Sequence, residues 1–248
     1  MQQMIVYEDR ELLVLHKPAG LAVESASVTT PDVVSMLKSY LKTTYVGLVH
    51  RLDQPVEGLF VVAKTKDAAA DLTRQLGSGA LHKSYQVLAH DERDDGISDR
   101  KNALPEDGEA DYDFVLRDYL YRDPNTRKAV IVDKLGALLK GASKNKRKEE
   151  PKSAVLKGKI LEKREGNILL CRIEIETGRF HQIRAQMSHA KMPLLGDRKY
   201  ASESCLMLTN ELGISRLALC ADRLSFIHPK SGEQMEFSIS PFWEQKDI

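Results

Sequence analysis

Leu59-Phe60-Val61-Val62-Ala63 is an unbroken apolar run bounded by Gly58 and Lys64. It reads as a strand buried at the centre of a sheet. Such a strand must be covered by other elements, so distant segments have to supply further strands and helices. A few residues before it stands His50-Arg51-Leu52-Asp53, which places an acid beside a base at the mouth of the run. A second dense polar block, Thr177-Gly178-Arg179-Phe180-His181-Gln182-Ile183-Arg184, lies at a strand-to-helix junction far downstream. Two polar clusters, each beside a core-forming segment, suggest one site assembled from separate parts of the chain.

The rest of the pattern alternates strands and helices without a repeat. Leu12 to His16 reads as a strand closed by the turn Lys17-Pro18-Ala19-Gly20. A helix is expected over 31–40, with Thr30 as N-cap, Pro31 at its first position and Val33, Val34, Leu37 and Leu41 on one face. Another is expected over 66–76, ended by Gly77. Strands are expected over 84–89 and 129–132, and over 169–175, where apolar and polar residues alternate as on a strand with one buried face. A helix follows from near His181 to before Pro193, and three short strands over 217–220, 224–227 and 235–239 complete the set. Two polar excursions interrupt the order, at 91–108 and in a basic loop at 140–152. The expectation is one α+β domain over 1–248, with a mixed, largely antiparallel sheet and flanking helices.

Composition narrows the class. At 42% hydrophobic and 29% charged, the 248 residues are those of an ordinary globular protein with a core. Cys171, Cys205 and Cys220 share no short spacing and read as reduced thiols, not a disulfide framework or a zinc site. No basic-then-apolar leader opens the chain, and no apolar run approaches the roughly 20 residues of a membrane span, so a cytoplasmic protein is expected. A net charge of +1 means that any polyanion must be held by local patches, for which the 140–152 loop is one candidate and a solvated loop the plainer reading.

Several residues stand out chemically. Asp53 follows Arg51 and Leu52 and precedes the bend at Pro55 and Gly58; a carboxylate there serves either as a turn cap or as a reactive group. Arg184, beside the core-facing Ile183, needs an anionic partner, and if Asp53 is that partner the pair keeps the carboxylate ionised. Tyr85 shares strand parity with Val87 and points to the core side, as structural tyrosines also do. His50, Asp53, His181 and His189 do not have the spacing of a metal set.

Taken in order, these segments resemble the RluA-type family of RNA pseudouridine synthases. The resemblance runs through Val14-Leu15-His16-Lys17-Pro18-Ala19-Gly20-Leu21, His50-Arg51-Leu52-Asp53, Lys83-Ser84-Tyr85, the 177–184 block, Pro193-Leu194-Leu195-Gly196-Asp197-Arg198-Lys199-Tyr200 and Phe226-Ile227-His228-Pro229. It implies a catalytic aspartate at Asp53, a tyrosine stacking near the target base at Tyr85 and an aspartate-pairing arginine at Arg184. It further implies an Arg51 that fills the space left by a flipped base, and a mixed sheet with the active cleft across its middle. Phosphate and base contacts are expected from Arg51, His50, Arg179, His181 and Ile183. The chain departs from the family's usual residues at Val56-Glu57-Gly58, Phe180, Gln186 and Cys220. It begins directly at the catalytic part, so the small N-terminal RNA-binding domain of many relatives is expected to be absent.

The implied reaction breaks the bond from uracil N1 to ribose C1′, turns the base and joins C5 to C1′. Glycosidases commonly use two carboxylates, one of which protonates the leaving oxygen. Uracil leaves with its charge spread over its carbonyls, so one ionised carboxylate suffices. No metal or organic cofactor is expected, and the expected partner is RNA, ribosomal ahead of transfer RNA, bound by a monomer without an obligatory protein partner. Two other classes remain open: a catalytically silent RNA-binding or ribosome-assembly protein of the same fold, and a metal-dependent hydrolase built on the histidines.

Overall fold

The computed structural model describes residues 1–25, 30–93, 105–106, 108–133 and 150–244. Most of the 91–108 excursion and the 140–152 loop as far as residue 149 therefore lie outside the described residues. The chain divides into two compact units, Met1–Tyr85 with Leu219–Ile248, and Gln86–Ala218.

The first unit contains β1 (Ile5–Glu8), β2 (Leu12–Lys17), α1 (Val33–Leu41), β3 (Gly47–Leu48), β4 (Glu57–Ala63) and α2 (Lys66–Ser78). The boundary with the second unit falls within β5 (His82–His90), and β10 (Leu219–Ile227) and β11 (Gln234–Ser238) return to the first. Its strands run in the order β1-β2-β4-β10, with β3 also on β4 and β11 on β10. The β4–β10 pair is parallel, and β1–β2, β2–β4, β3–β4 and β10–β11 are antiparallel. All seven residues of β4 are buried, as the apolar run requires of a central strand. One side chain set from the sheet, Leu12, Val14, Leu59, Val61, Leu224 and Phe226, packs with Ala68 and Leu72 of α2. Removing the fully buried Leu72 side chain from such a core would cost about 2–5 kcal/mol.

Three boundaries differ from the sequence expectations. α1 is capped by Asp32, not Thr30: the Asp32 carboxylate accepts from Ser35 N at 2.7 Å and Ser25 N at 3.0 Å, two bonds that a threonine hydroxyl two residues earlier does not supply. α2 runs past Gly77 to Ser78 and ends where Gly79 adopts a left-handed φ of 79°. The expected strands at 217–220 and 224–227 join into β10, because Asp222 and Arg223 follow the extended backbone instead of breaking it.

Gly58 decides how β4 enters the sheet. It has φ +143°, a region open to glycine, and stands between Lys17 of β2 and Ala221 of β10. A Cβ there would sit 2.5 Å from both the backbone nitrogen and the Cβ of Ala221. Gly58→Ala is expected to destabilise the protein by at least about 2 kcal/mol, through overpacking added to backbone strain. Gly79→Ala, also at positive φ but with nothing within 4 Å, carries strain alone and should cost about half as much or less in the same urea titration. Equal losses would show that the contact with Ala221 is immaterial.

The second unit holds β6 (Phe114–Asp123), β7 (Lys128–Val132), β8 (Lys152–Arg164), β9 (Ile168–Ile175), α3 (Gln182–His189) and α4 (Glu203–Glu211). Its strands run β9-β8-β6-β7, each pair antiparallel. The expected mixed, largely antiparallel α+β sheet is thus found. β6, β8 and α4 were not foreseen. In β8 the alternation is present, with Ala154, Leu156 and Gly158 buried, but the lysines at 152, 157, 159 and 163 obscure it. Gly158 gives room to the Phe114 ring across the β6–β8 ladder. β9 is not half-buried throughout: Ile168 to Cys171 are all buried, so its first half is covered on both faces. α3 packs through Ala185 against Leu120, Ala129 and Ala154, with Phe180 and Tyr200 at the edge.

Candidate active site

In the first unit, Asp53 occupies a turn between two buried anchors, Leu52 and Val56. Val56 N donates to Asp53 O at 3.0 Å, closing the turn through Gln54 and Pro55. The preceding loop is bonded to it twice: Gly20 N donates to Gln54 O at 2.8 Å, and Gln54 Nε2 donates to Gly20 O at 3.0 Å. The side chain of Lys17, at 0% exposure, ties both loops together. Its ammonium donates to Pro18 O (3.0 Å), Leu21 O (2.8 Å) and Gln54 O (3.1 Å). A lysine is fully buried only when its charge is compensated, and here three carbonyls take its three protons while Asp53 and Glu57 supply negative charge nearby.

Burial pulls the Lys17 ammonium down to about 8, and the two carboxylates oppose that fall. The linkage has a definite sign. Below about pH 8 both folded and unfolded chains carry the proton, and the cost of burying the charge is fully present. Between about 8 and the ordinary lysine value, 10.5, the unfolded chain holds more proton, so stability attributable to this group rises with pH. Wild type is therefore expected to gain stability relative to Lys17→Met as pH is raised from 7 to 10. Urea midpoints that run parallel across that range would contradict the assignment. Lys17→Met should also lower activity by loosening the Asp53 turn, since it removes all three loop contacts.

Tyr85 is buried at 5% exposure, and burial together with the negative charge of Asp53 pushes its hydroxyl well above the ordinary tyrosine value. It stays a neutral phenol across physiological pH. Tyr85 thus lies within the field of the Asp53 carboxylate inside this unit. His50 is also buried: its ring meets Phe60 edge-on and its Nε2 accepts weakly from Val61 N at 3.4 Å. Burial and the Lys83 charge hold it neutral. Arg51 is exposed and pairs with Glu24 at 3.5 Å, a surface contact of little energetic consequence. Glu57, at the start of β4, is buried and lies 3.0 Å from His16 Nε2.

The second unit holds the other residues singled out in the sequence. Arg184 is buried and donates from Nε and Nη2 to the two oxygens of Asp197, both at 2.7 Å. This is a bidentate pair, the geometry for which arginine is suited. Asp197 also accepts from the backbone nitrogens of Lys199 and Tyr200. Ile183 is buried beside Arg184. His181 precedes α3 with φ +52°, and its Nδ1 lies 2.7 Å from the Tyr200 hydroxyl. Burial, then the neighbouring Arg184 and Lys199, pull His181 down to about 3. Arg179 is exposed and donates from Nε to Ser153 O at 3.0 Å.

Lys17, Glu57 and Asp197 were given no role from sequence, although each lies in or beside a quoted motif. Lys17 carried a signal, because it shares strand parity with the buried Leu13 and Leu15. Among the described residues no three His, Cys, Asp or Glu side chains gather as a metal-binding set.

The RNA pseudouridylate synthase family matches residues 11–189, and the chain belongs to that family. It is 34% identical over 244 residues to ribosomal large subunit pseudouridine synthase D of Neisseria meningitidis serogroup B, covering 94% of this chain and 56% of the relative. It is 27% identical over 249 residues to ribosomal large subunit pseudouridine synthase C of Haemophilus influenzae, covering 100% and 68%. The chain thus spans little more than half of the Neisseria relative. Among solved structures, human RNA pseudouridylate synthase domain containing 4 shares the fold at a TM-score of 0.64 and 22% identity, covering 97% of this chain and 89% of that one.

Proposed function

We propose that this chain is an RNA pseudouridine synthase, an isomerase that converts uridine in structured RNA to pseudouridine, with Asp53 as the catalytic carboxylate. The observation that carries the proposal is the Asp53 turn: its carboxylate acts electrostatically on a buried, neutral phenol, and its loop is tied to its neighbour by a fully buried ammonium. Such rigidity is what a near-attack geometry demands, with reacting atoms about 3–3.5 Å apart. The carboxylate acts at the sugar of an everted nucleotide, as the N1–C1′ bond breaks and C5–C1′ forms. The C5 proton then leaves to solvent and N1, freed from the sugar, takes one up, so the product is an isomer and no group is gained or lost.

Tyr85 takes the base-stacking role given by the resemblance. Its suppressed ionisation supports packing and hydrogen bonding by the neutral phenol, because little phenolate exists at neutral pH to remove the C5 proton. Arg184 takes the role of the supporting guanidinium. Arg51, His50, Arg179, His181 and Ile183 are the proposed substrate contacts, with no metal or cofactor in the reaction. Extracting the uridine costs a few kcal/mol of lost stacking, offset by phosphate contacts.

Large-subunit ribosomal RNA is the proposed substrate ahead of transfer RNA, on the strength of the relatives' names. Residues 1–248 act as one catalytic domain, monomeric and cytoplasmic; among the described residues no helix is long and apolar enough to cross a membrane. The test is release of tritium from [5-³H]uridine-labelled transcripts of large-subunit ribosomal RNA and of transfer RNA. Release from the ribosomal transcript is the expected result. RNA binding without release from either transcript would favour a silent binding protein instead.

A further inference from the structure

The β6–β7 hairpin of the second unit carries a group of cations without matching anions. Its turn, Asp123-Pro124-Asn125-Thr126-Arg127, is built by Asp123, whose carboxylate accepts from Asn125 N at 3.1 Å and Thr126 Oγ1 at 2.8 Å. Arg127 N donates to Asp123 O at 2.8 Å, and Arg127 itself has φ +52°. From outside the hairpin, the Lys199 ammonium donates to Arg127 O at 2.7 Å and braces the turn. The tip is therefore constructed, not loose. It presents Arg122, Arg127 and Lys128, all exposed, with Lys199 partly buried behind them.

Among the described residues none of these four cations has a carboxylate within ion-pair distance. The nearby Asp197 bonds Arg184, and Asp123 caps the turn. Uncompensated like charges repel, and the effect is visible in the neighbourhood. After burial itself, Arg184, Lys128 and Arg127 depress the Lys199 ammonium, and Arg122 is among the groups depressing His181. Aromatic rings hold part of the set in place. The Arg122 guanidinium lies 4.7 Å from the centroid of Phe180, whose ring stacks on His181 at 3.8 Å. Lys128 Nζ lies 5.8 Å from the Tyr200 centroid. His181, being neutral, contributes an aromatic plate and no further charge.

We infer that the β6–β7 hairpin tip, with Arg122, Arg127 and Lys128 backed by Lys199, is a docking surface for the sugar–phosphate backbone of the RNA substrate. This rests on the RNA-modifying function proposed above and adds the place where the polyanion is held. Preoriented guanidinium and ammonium groups suit consecutive phosphates. A chain with net charge +1 must concentrate its attraction for RNA in patches of this kind.

The test measures binding of a fluorescein-labelled stem–loop RNA, with uridines in its loop, as salt is raised. In the variant Arg122→Gln/Arg127→Asn/Lys128→Gln, the slope of log affinity against log salt is expected to become shallower by about 2–3, the share of three phosphate contacts. Asparagine at 127 tolerates the left-handed backbone, so the turn is retained. The charge-retaining variant Arg127→Lys/Lys128→Arg should keep the wild-type slope. A neutral variant with the wild-type slope would overturn the inference, as would an equal loss in the charge-retaining variant. Tritium release by wild type on the same RNA separates the two readings. Release with an unchanged slope refutes the docking surface alone, and a lowered slope without release refutes the catalytic reading alone.

Discussion

Asp53→Asn is expected to fold, to bind RNA and to release tritium from [5-³H]uridine RNA at least about 10³-fold more slowly than wild type. The amide is nearly isosteric with the carboxylate, and the turn is held by groups that the substitution leaves alone: Lys17 Nζ on Gln54 O, Gly20 N on Gln54 O, and Val56 N on Asp53 O. What is lost is a full negative charge able to act as nucleophile or base, a role ordinarily worth on the order of 10²–10⁴-fold or more. The same variant has a second readout in stability. The Asp53 charge raises the Lys17 ammonium, so its removal should move that group further below about 8. The rise of stability with pH attributable to Lys17 should then begin at lower pH than in wild type. Tritium release near the wild-type rate would remove Asp53 from the chemistry, whatever the pH profile shows.

The second large effect is expected at Asp197. Asp197→Ala deletes both oxygens that accept from the Arg184 guanidinium in a buried setting, and the two backbone bonds to Lys199 and Tyr200 go with them. Breaking a buried ion pair from one side costs about 3–5 kcal/mol, a large part of the 5–15 kcal/mol that holds a typical domain folded. The variant should show a urea midpoint far below that of wild type. Because the charge lost is the counterpart of Arg184, activity should fall even under conditions where the variant remains folded. A loss of less than about 1 kcal/mol would show that the pair is energetically dispensable.

Much of the candidate site was legible without coordinates, for reasons that differ between residues. Asp53 was recognisable because a carboxylate between Leu52 and the bend at Pro55 sits at the mouth of the 59–63 run, and the order of motifs around it is specific. Tyr85 followed from strand parity with Val87, and both are buried. Lys17 was harder to read, since an isolated lysine before a proline is ordinarily a solvated turn residue. Its burial depends on three carbonyls arriving from Pro18, Leu21 and Gln54. β8 was missed because its lysines mask the buried alternate residues, and the α1 cap was misplaced because Asp32 collects a second donor from Ser25.

Local chain chemistry, acting over a few residues, was enough to specify the central strand, the α3 helix after the 177–181 block and the acid at the mouth of β4. Periodicity, turn residues and capping operate at that range, and the sequence displays them directly. Tertiary structure alone decided which charges are buried and with whom: Lys17 among carbonyls, Glu57 beside His16 across 41 positions, Arg184 clasped by Asp197. A charge leaves water only when a partner meets it, and that meeting is set by how strands and loops register in space, which no short stretch of chain encodes.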